Sequence, residues 1–440
     1  MTTGPPARVR PPARPGAAPA AWRDAGSVAG RGQDDLRRHN LSVVLGAVHR
    51  TGAVTRAQLT ASLGLSRSTV GDLVGALVGA GLVVEEPPRA ASGRGVGRPS
   101  LVVAPVERAA TVVAVYLDVH WLRATLVGLG GRVLASATEP LPTGAAPAEA
   151  VRRAGGLVTG LVPPAGRHRV VAAGVAVPGT VRAGEGVVGL APNLGWVEQP
   201  VGELMAGELA GRLGRPVPVL VANDADLGVV AEIGRGAAVG ATDVVYLCGT
   251  WGLGGGIVSG GHALTGRRGF AGEVGHVGVD PEGRACHCGS RGCWEAEAQA
   301  AAWAGPLELD VDAPDVAARV AERLERGGVL ARRTRDRVSR SFARGLASVV
   351  NVLDPQVVLL GAGLWRDLWP AVEGDVLPWV ERLVLPALRD HVDVRPAGLG
   401  DGSTLVGAAE TAFGPLLDDP LGHAPGAVAP PPGRSGGRAS

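Results

Sequence analysis

Four side chains with metal-binding chemistry lie close together in a chain that contains only four cysteines. His276, Cys286, Cys288 and Cys293 follow the pattern H-x9-C-x-C-x4-C and offer one nitrogen and three sulfur ligands, a set that suits tetrahedral Zn²⁺. Glycines between these residues would let the loop fold tightly around an ion. The sequence therefore predicts a metal-binding loop over residues 276–293.

Two other chemistries are open to these cysteines, and both are less favoured. A disulfide needs an oxidising compartment, which nothing in the sequence indicates, and Cys286 and Cys288 are poorly spaced to pair. A catalytic zinc ion needs an open position for water, whereas four protein ligands fill the coordination shell. We therefore expect a structural Zn²⁺ that shapes the loop.

Two glutamates flank the metal-binding loop. Glu273 precedes His276 by three residues, and Glu295 follows Cys293 by two. An isolated glutamate is usually solvated or salt-bridged. Because these two are tethered to metal ligands, we expect them to bind a small molecule instead.

Residues 31–104 have the pattern of a winged helix-turn-helix domain. Two short helical patterns are separated by Gly64, and Ser66 is placed to cap the second. The strand patterns LVVEE and SLVVAP then flank an arginine-containing segment, as in a wing. An earlier helix is predicted by a stripe of apolar residues, which are Leu36, Leu41, Val44, Leu45 and Val48.

We expect this domain to bind double-stranded DNA, because such folds contact base edges from the start of the second helix and use the wing for phosphates or the minor groove. The candidate DNA-binding residues are Ser66, Arg67, Ser68, Thr69, Arg94 and Arg98. The charge agrees, since residues 31–100 hold nine Arg against five acidic residues. The alternative is a plain three-helix bundle used for packing or dimerisation.

The rest of the chain predicts an α/β protein with two similar lobes. Residues 111–134 read as a strand followed by a hairpin that turns at GLGG, and residues 243–264 repeat this plan. Helices are expected over residues 337–354 and 357–365. Duplicated lobes of this kind would enclose a cleft for a small ligand.

Both ends of the chain have a different composition from the rest. Residues 1–30 and 416–440 are rich in Pro, Ala and Gly without periodic apolar positions, so we expect disordered tails. No apolar run resembles a secretory signal or reaches the roughly 20 residues of a membrane helix. These features predict a cytoplasmic protein without a membrane partner.

Four segments together resemble the ROK family of sugar kinases and sugar-responsive transcription regulators. They are FAGEVGHVGVDPEGRACHCGSRGCWE, VANDAD, VAVPGTV and APNLGW. The resemblance covers residues 105–415, and the helix-turn-helix with its GRP-containing wing is similar to the regulator branch. It implies an actin-like, duplicated ribonuclease-H-like fold behind the winged helix-turn-helix.

The resemblance also implies a sugar-binding site. Its residues would be Gly179, Asn193, Asn223, Asp224, Glu273, His276 and Glu295. Carboxylates and amides accept from or donate to vicinal hydroxyls, so such a site rejects ligands that lack them. In kinases of the family, the residue that matches Asp224 is the general base for the sugar hydroxyl.

The phosphate-binding motifs depart from those of the family's kinases. Where kinases have D-x-G-G-T, residues 118–122 read DVHWL, and where they have G-T-G-I-G, residues 250–254 read TWGLG. Without the glycines, the backbone cannot approach a phosphate closely. We expect Trp121 and Trp251 either to fill the space of the nucleotide or to pack between the lobes.

The resemblance therefore implies a sugar-responsive regulator of carbohydrate metabolism genes, usually a repressor, without enzyme activity. It would bind operator DNA as a homodimer or a dimer of dimers, with a small sugar or sugar phosphate as effector. One alternative is an ATP-dependent sugar kinase with an appended DNA-binding domain, in which Asp224 is the base. The other is a constitutive DNA-binding protein whose ROK domain is only a scaffold.

Overall fold

A computed structural model describes residues 33–87, 100–182, 184–313 and 315–425. These residues form an α/β protein with a small N-terminal domain, which we call the head, and two larger lobes, I and II, as the sequence predicts. Among the described helices, none is both long and apolar enough to cross a membrane.

The head is a winged helix-turn-helix. Its helices are α1 (Gln33–Thr51), α2 (Arg56–Leu63) and α3 (Arg67–Gly79), and its strands are β1 (Val54–Thr55), β2 (Val83–Glu86) and β3 (Val102–Pro105) in the order β1-β3-β2. Gly64 ends α2 in the left-handed conformation at φ 67°, and the Ser66 side chain caps α3 by accepting from the Thr69 amide at 3.1 Å. The tight turn between the two helices thus follows from local chemistry.

One prediction for the head is wrong, and another concerns residues that the structure does not describe. Leu36 does not join the buried stripe of α1 but is 54% exposed, because α1 is exposed throughout residues 34–39, whereas Leu41 and Val44 are buried. Arg94 and Arg98 lie outside the described residues, between β2 and β3.

Lobe I is a five-stranded sheet with the order β11-β7-β4-β5-β6. Its strands are β4 (Thr111–Leu117), β5 (Trp121–Gly128), β6 (Val133–Pro140), β7 (Val170–Val177) and β11 (Val219–Asn223). Helices α4 (Pro147–Leu161) and α5 (Val201–Leu213) pack against it, and a small sheet is formed by β8 (Thr180–Arg182), β9 (Val187–Ala191) and β10 (Trp196–Gln199).

Lobe II repeats the pairing of lobe I. Strand β4 is antiparallel to β5 and parallel to β7, and β12 is likewise antiparallel to β13 and parallel to β15. The strands are β12 (Val244–Gly249), β13 (Gly254–Ser259), β14 (His262–Ala263), β15 (Val357–Gly363) and β16 (Val394–Pro396). The helices of this lobe are α7 (Trp294–Ala298), α8 (Ala300–Ala304), α9 (Val316–Glu325), α10 (Val329–Leu353) and α11 (Leu364–Leu383).

The prediction of a helix over residues 357–365 is wrong. This segment is strand β15, and α11 begins only at Leu364. The run of Val357, Val358, Leu359 and Leu360 is buried throughout and pairs in parallel with β12 on one side and β16 on the other. A strand buried on both faces shows no alternation, so its pattern resembles that of a buried helix.

Two helices lie between the lobes. Helix α6 (Asp224–Arg235) packs on β12 and β13 of lobe II, whereas α12 (Ser403–Asp418) packs on β4 and β7 of lobe I. The two helices touch closely, because a Cβ added to Gly407 would lie 1.9 Å from the carbonyl oxygen of Leu227. They form the seam between the lobes.

Helix α12 packs against the head, and it ends later in the chain than we expected. Residues 416–418, which we expected in a disordered tail, complete α12, because Leu416 is buried in the core. This core is shared with the head: Val44 and Leu45 of α1 belong to the same apolar cluster as Phe413 of α12. The head is therefore packed against lobe I and is not joined to it through a linker alone.

Candidate functional site

A cleft opens between the two lobes, and all seven predicted sugar-binding residues line it. These residues are Gly179, Asn193, Asn223, Asp224, Glu273, His276 and Glu295. They come from loops of both lobes, from the end of β11 and from the first turns of α6 and α7, and Asn223 is 44 residues from Gly179 in the chain. The fold thus brings together groups that the sequence places far apart.

Asn223 organises one wall of the cleft. It ends β11 and caps α6, where its Oδ1 accepts from the amides of Ala225 at 2.8 Å and Asp226 at 3.2 Å. Its Nδ2 donates to the carbonyl oxygen of Gly179 at 2.9 Å. Gly179 has φ 139°, and a Cβ there would lie 2.5 Å from the carbonyl oxygen of Leu190. The loop at Gly179 can therefore approach a ligand with its backbone.

Asp224 lies beside a tyrosine that the sequence analysis did not single out. The Tyr116 hydroxyl donates to Asp224 Oδ2 at 2.8 Å. Burial raises the pKa of Asp224 to about 7, with a further rise from Asp118 and an opposing effect of the Tyr116 hydrogen bond. A carboxyl group with this pKa can accept or donate a hydrogen bond near neutral pH.

Asp226 is a second cleft residue that the sequence analysis did not assign. Burial raises its pKa to about 8, and the charges of Asp224 and Glu273 add to the effect. Its position two residues after Asp224, in the first turn of the same helix, is the sequence signal that could have identified it. The cleft therefore concentrates more carboxyl groups than predicted.

Glu295 and Glu273 extend this polar lining from lobe II. Glu295 Oε2 accepts a hydrogen bond from the Leu253 amide at 3.0 Å. A Cβ added to Gly252 would lie 2.9 Å from that oxygen and 3.4 Å from the side-chain Nδ2 of Asn193. Glu273 Oε2 lies 3.8 Å from His276 Nε2. Both glutamates thus face the cleft next to the metal-binding loop, as their spacing predicts.

The four predicted metal ligands lie together. The ligand atoms of His276, Cys286, Cys288 and Cys293 are all within 4.8 Å of one another. Cys286 Sγ is 3.7 Å from His276 Nδ1, and Cys288 Sγ is 3.7 Å from Cys293 Sγ. With Zn–S bonds of about 2.3 Å, the edge of a tetrahedral site is roughly 3.8 Å. The cluster could therefore hold a metal ion, and its geometry and donor set fit Zn²⁺.

The two nitrogens of His276 face different partners. Nδ1 faces the cysteine sulfurs, whereas Nε2 faces Glu273 in the cleft. The loop itself depends on Gly292, which has φ 62° and where a Cβ would lie 1.4 Å from the carbonyl oxygen of Asp280. A metal ion bound at Nδ1 would hold the ring so that Nε2 points to a ligand.

The tryptophans of the two phosphate motifs behave differently. Trp251 lines the cleft, and its ring lies edge-to-face with the His120 ring at a centroid distance of 4.7 Å. Its Nε1 donates to the carbonyl oxygen of Val311 at 3.3 Å. Trp121, by contrast, is 37% exposed at the start of β5 and does not line the cleft. Of the two interpretations for Trp121, filling of the nucleotide space is therefore not supported by the residues that line the cleft.

The candidate DNA-binding residues of the head lie at the start of α3. Ser66, Arg67 and Ser68 are exposed, and Thr69 is half-buried. The Ser66 hydroxyl is 2.8 Å from the hydroxyls of both Ser68 and Thr69. This end of the helix therefore presents Arg67 and a group of linked hydroxyls to solvent.

Comparison with known proteins gives consistent matches. The model of the ROK family matches residues 113–413. A glucokinase from Thermotoga maritima is 33% identical over 54% of this chain and 77% of its own length. The xylose repressor of Bacillus subtilis is 24% identical over 88% of this chain and 98% of its own. A solved ROK family transcriptional regulator, described as a homologue of the E. coli MLC protein, shares the fold with TM-score 0.70 at 23% identity, covering 88% of this chain and 98% of its own.

Proposed function

The chain belongs to the ROK family, and from this premise we propose that it is a sugar-responsive DNA-binding transcriptional regulator, acting as a repressor without kinase activity. The observation that carries the proposal is the union, in one packed chain, of a winged helix-turn-helix with a cleft lined by hydroxyl-binding groups. The matches support it, since the xylose repressor aligns with 88% of the chain and the glucokinase with 54%.

The proposed DNA contact is made by the head. Helix α3 would enter the major groove with Ser66, Arg67, Ser68 and Thr69 near the bases, and Arg94 and Arg98 would contact the backbone or minor groove. We propose residues 31–104 as this DNA-binding domain and residues 105–418 as the sugar-binding domain. A homodimer or dimer of dimers would place paired heads on paired half-sites.

The proposed effector is a sugar without a phosphate group. Five carboxyl groups line the cleft, and no arginine is among its described lining residues. The carboxyl residues are Asp118, Asp224, Asp226, Glu273 and Glu295. Sugar hydroxyls can donate to these groups, whereas a phosphate dianion would be repelled by them.

The absence of kinase activity is proposed from the nucleotide half of the cleft. Trp251 and His120 are in contact where family kinases have glycines and a threonine in their phosphate motifs. Their rings leave the backbone amides less able to surround a phosphate. Asp224, with a pKa of about 7, could still act as a base, so a kinase is the second candidate, and ATP-dependent phosphorylation is its test.

We propose that the cluster of His276, Cys286, Cys288 and Cys293 holds a structural Zn²⁺. A bound ion would fix the loop and polarise the His276 ring. In this proposal, His276 Nε2, Glu273 and Glu295 orient the sugar hydroxyls by hydrogen bonding. Asp224 accepts a hydrogen bond from one of these hydroxyls. A ligand bound between groups of both lobes favours the closed arrangement of the lobes.

The test is fluorescence anisotropy of the zinc-loaded full chain on DNA from upstream of its own gene, at a fixed salt concentration. Hexoses, pentoses, amino sugars and their phosphates are titrated in turn. Specific DNA binding that one unphosphorylated sugar weakens supports the proposal. Specific binding that no sugar changes favours the scaffold alternative, and a response to sugar phosphates alone contradicts the proposed effector class.

A further inference from the structure

We infer that Arg235, at the end of helix α6, is the positioning residue through which the cleft controls the DNA-binding head. The inference rests on the proposed function, because it describes how sugar binding in the cleft changes the head. It is drawn from contacts that join three parts of the chain: the seam helix α6, the seam helix α12 and the end of helix α1.

Helix α6 extends from the cleft to the junction with the head. Its N-cap Asn223 and its first residue Asp224 line the cleft, and Arg235 is its last residue. Twelve residues of α-helix span about 18 Å and bend little over that length. A ligand that moves the first turn of α6 therefore also moves Arg235.

The guanidinium group of Arg235 forms hydrogen bonds with the end of α1. It donates to Glu410 Oε1 at 2.7 Å and to the carbonyl oxygens of His49 at 3.0 Å and Arg50 at 3.4 Å. It also donates to the carbonyl oxygen of Gly130 at 3.3 Å. Two of these four acceptors belong to the head, and the other two belong to α12 and to the β5–β6 turn of lobe I.

His49 completes the junction from the side of the head. Its side chain is fully buried, with Nε2 3.2 Å from Glu410 Oε1 and Nδ1 accepting from the Gly130 amide at 3.0 Å. Its ring contacts Phe413 at a centroid distance of 4.7 Å. Burial alone would raise the pKa of Glu410, but interactions with His49 and Arg235 outweigh it and hold this pKa at about 2. Glu410 is thus a charged centre shared by the head and α6.

The position of α6 makes this junction a link between lobe II and the head. The head rests on α12 and on the β5–β6 turn, which both pack in lobe I. Helix α6 packs mainly on β12 and β13 of lobe II, and its Leu227 joins the apolar cluster of the head and lobe I. Arg235 is therefore a contact from lobe II to a head that is seated on lobe I. The inference requires that lobe closure shifts α6 against α12, which changes or breaks the bonds from Arg235 to His49 and Arg50.

A purely structural Arg235 would stabilise the head equally with and without ligand. A coupling Arg235 would instead set the ratio between the DNA dissociation constants measured with and without sugar. This ratio separates the two roles, because a static anchor changes both constants by the same factor.

The test measures this ratio by fluorescence anisotropy on the full zinc-loaded chain, with unphosphorylated hexoses and pentoses as probes. We expect Arg235→Ala to bring the ratio to within twofold of one, while the DNA-free protein binds sugar at least as tightly as wild type, because closure no longer breaks these bonds. Arg395→Ala is the matched control, because Arg395 bonds to the Ala237 carbonyl just beyond α6 but belongs to strand β16 of lobe II. It should keep the wild-type ratio.

A wild-type ratio in Arg235→Ala would overturn the inference and leave the proposed function standing. No sugar response in the wild-type chain would remove both. Should Arg235→Ala fail to fold, as judged by circular dichroism and zinc content, Glu410→Gln is scored by the same ratio with the same limits. Amide hydrogen exchange over residues 41–51 is a second readout: sugar should accelerate it in the wild type and have no effect in the Arg235 variant.

Discussion

The rings of His120, from the β4–β5 turn of lobe I, and Trp251, from the β12–β13 turn of lobe II, lie edge-to-face with their centroids 4.7 Å apart. This pair joins the two lobes at the positions that the sequence analysis aligns with the phosphate motifs of the family's kinases. It is an aromatic contact of the edge-to-face kind, worth about 0.5–1.5 kcal/mol beyond its buried area.

The first prediction concerns nucleotide. On the proposal that His120 and Trp251 replace the phosphate-binding residues, we expect Mg-ATP to leave the melting temperature of the protein unchanged and to give no sugar-dependent ADP in a coupled assay. Asp224→Asn is the control for a contaminating kinase. ADP formation that the wild type supports and Asp224→Asn abolishes would contradict the prediction and favour the kinase alternative.

The second prediction concerns the metal. We expect about one zinc ion per chain by elemental analysis, and a lower melting temperature after chelation, because a structural zinc contributes directly to folding. Cys293→Ser should lose the ion. Cys248→Ser is the matched control, since Cys248 is buried but is not among the clustered ligands, and it should keep the ion. Equal zinc content in both variants would contradict the assignment.

The third prediction concerns pH. Asp224 and Asp226 have pKa values raised to about 7 and about 8 in the folded chain, so the folded state binds more protons than the unfolded state above pH 4. Stability from these groups is fully present below pH 4 and is lost as the pH rises through 7 and 8. We expect Asp226→Asn to melt at a higher temperature than wild type at pH 8.5 and to flatten the decline from pH 5.

The control for this pH series is Asp243→Asn. Hydrogen bonding, first from the Gly260 amide, lowers the pKa of Asp243, so its contribution is lost only as the pH falls through the acid range. Between pH 5 and 8.5 its substitution should shift all melting temperatures equally. An unchanged slope in Asp226→Asn would show that Asp226 titrates normally.

The fourth prediction concerns the head. Arg67→Ala should weaken specific DNA binding about 10-fold, since loss of one base or phosphate contact costs about 1–3 kcal/mol. Arg38→Ala is the matched control: Arg38 is an exposed arginine of α1 that pairs with Asp35. Anisotropy at several salt concentrations separates the two kinds of contact. Loss of a phosphate contact reduces the salt dependence of binding, whereas loss of a base contact relaxes sequence specificity.

Ser66 gives a separate prediction on stability. Its side chain caps α3 by accepting from the Thr69 amide, so Ser66→Ala should destabilise the head by about 1 kcal/mol. Ser62→Ala is the comparison, because Ser62 lies within α2 and donates to the Leu59 carbonyl at 3.4 Å without capping a helix. Urea unfolding followed by circular dichroism measures both. Equal effects would indicate that the cap does not matter.

Local patterns account for much of what the sequence predicts correctly. The spacing of four ligands within 18 residues predicts the cluster around His276, and Gly64 with Ser66 predicts the turn of the head. Relations between distant residues are different. Tyr116 and Asp224 are 108 positions apart, and only the parallel pairing of β4, β7 and β11 brings them together.

The errors have the same origin. Burial of β15 on both faces removes the alternation that distinguishes a strand from a helix. Whether Trp121 lines the cleft depends on how the β4–β5 hairpin lies relative to lobe II, and its 37% exposed side chain is not among the residues that line the cleft. Neither fact can be derived from composition or spacing at a single position.

The apolar core that α1 shares with Phe413 also bears on the operator itself. A head on a loose tether could follow half-sites at many separations, but a head fixed in the core of lobe I keeps the direction that the body gives it. In a dimer, the two recognition helices would then fit only one rotational phasing along the duplex. Inserting about five base pairs, half a helical turn, between the half-sites would turn one of them to the opposite face of the DNA, out of reach of its head.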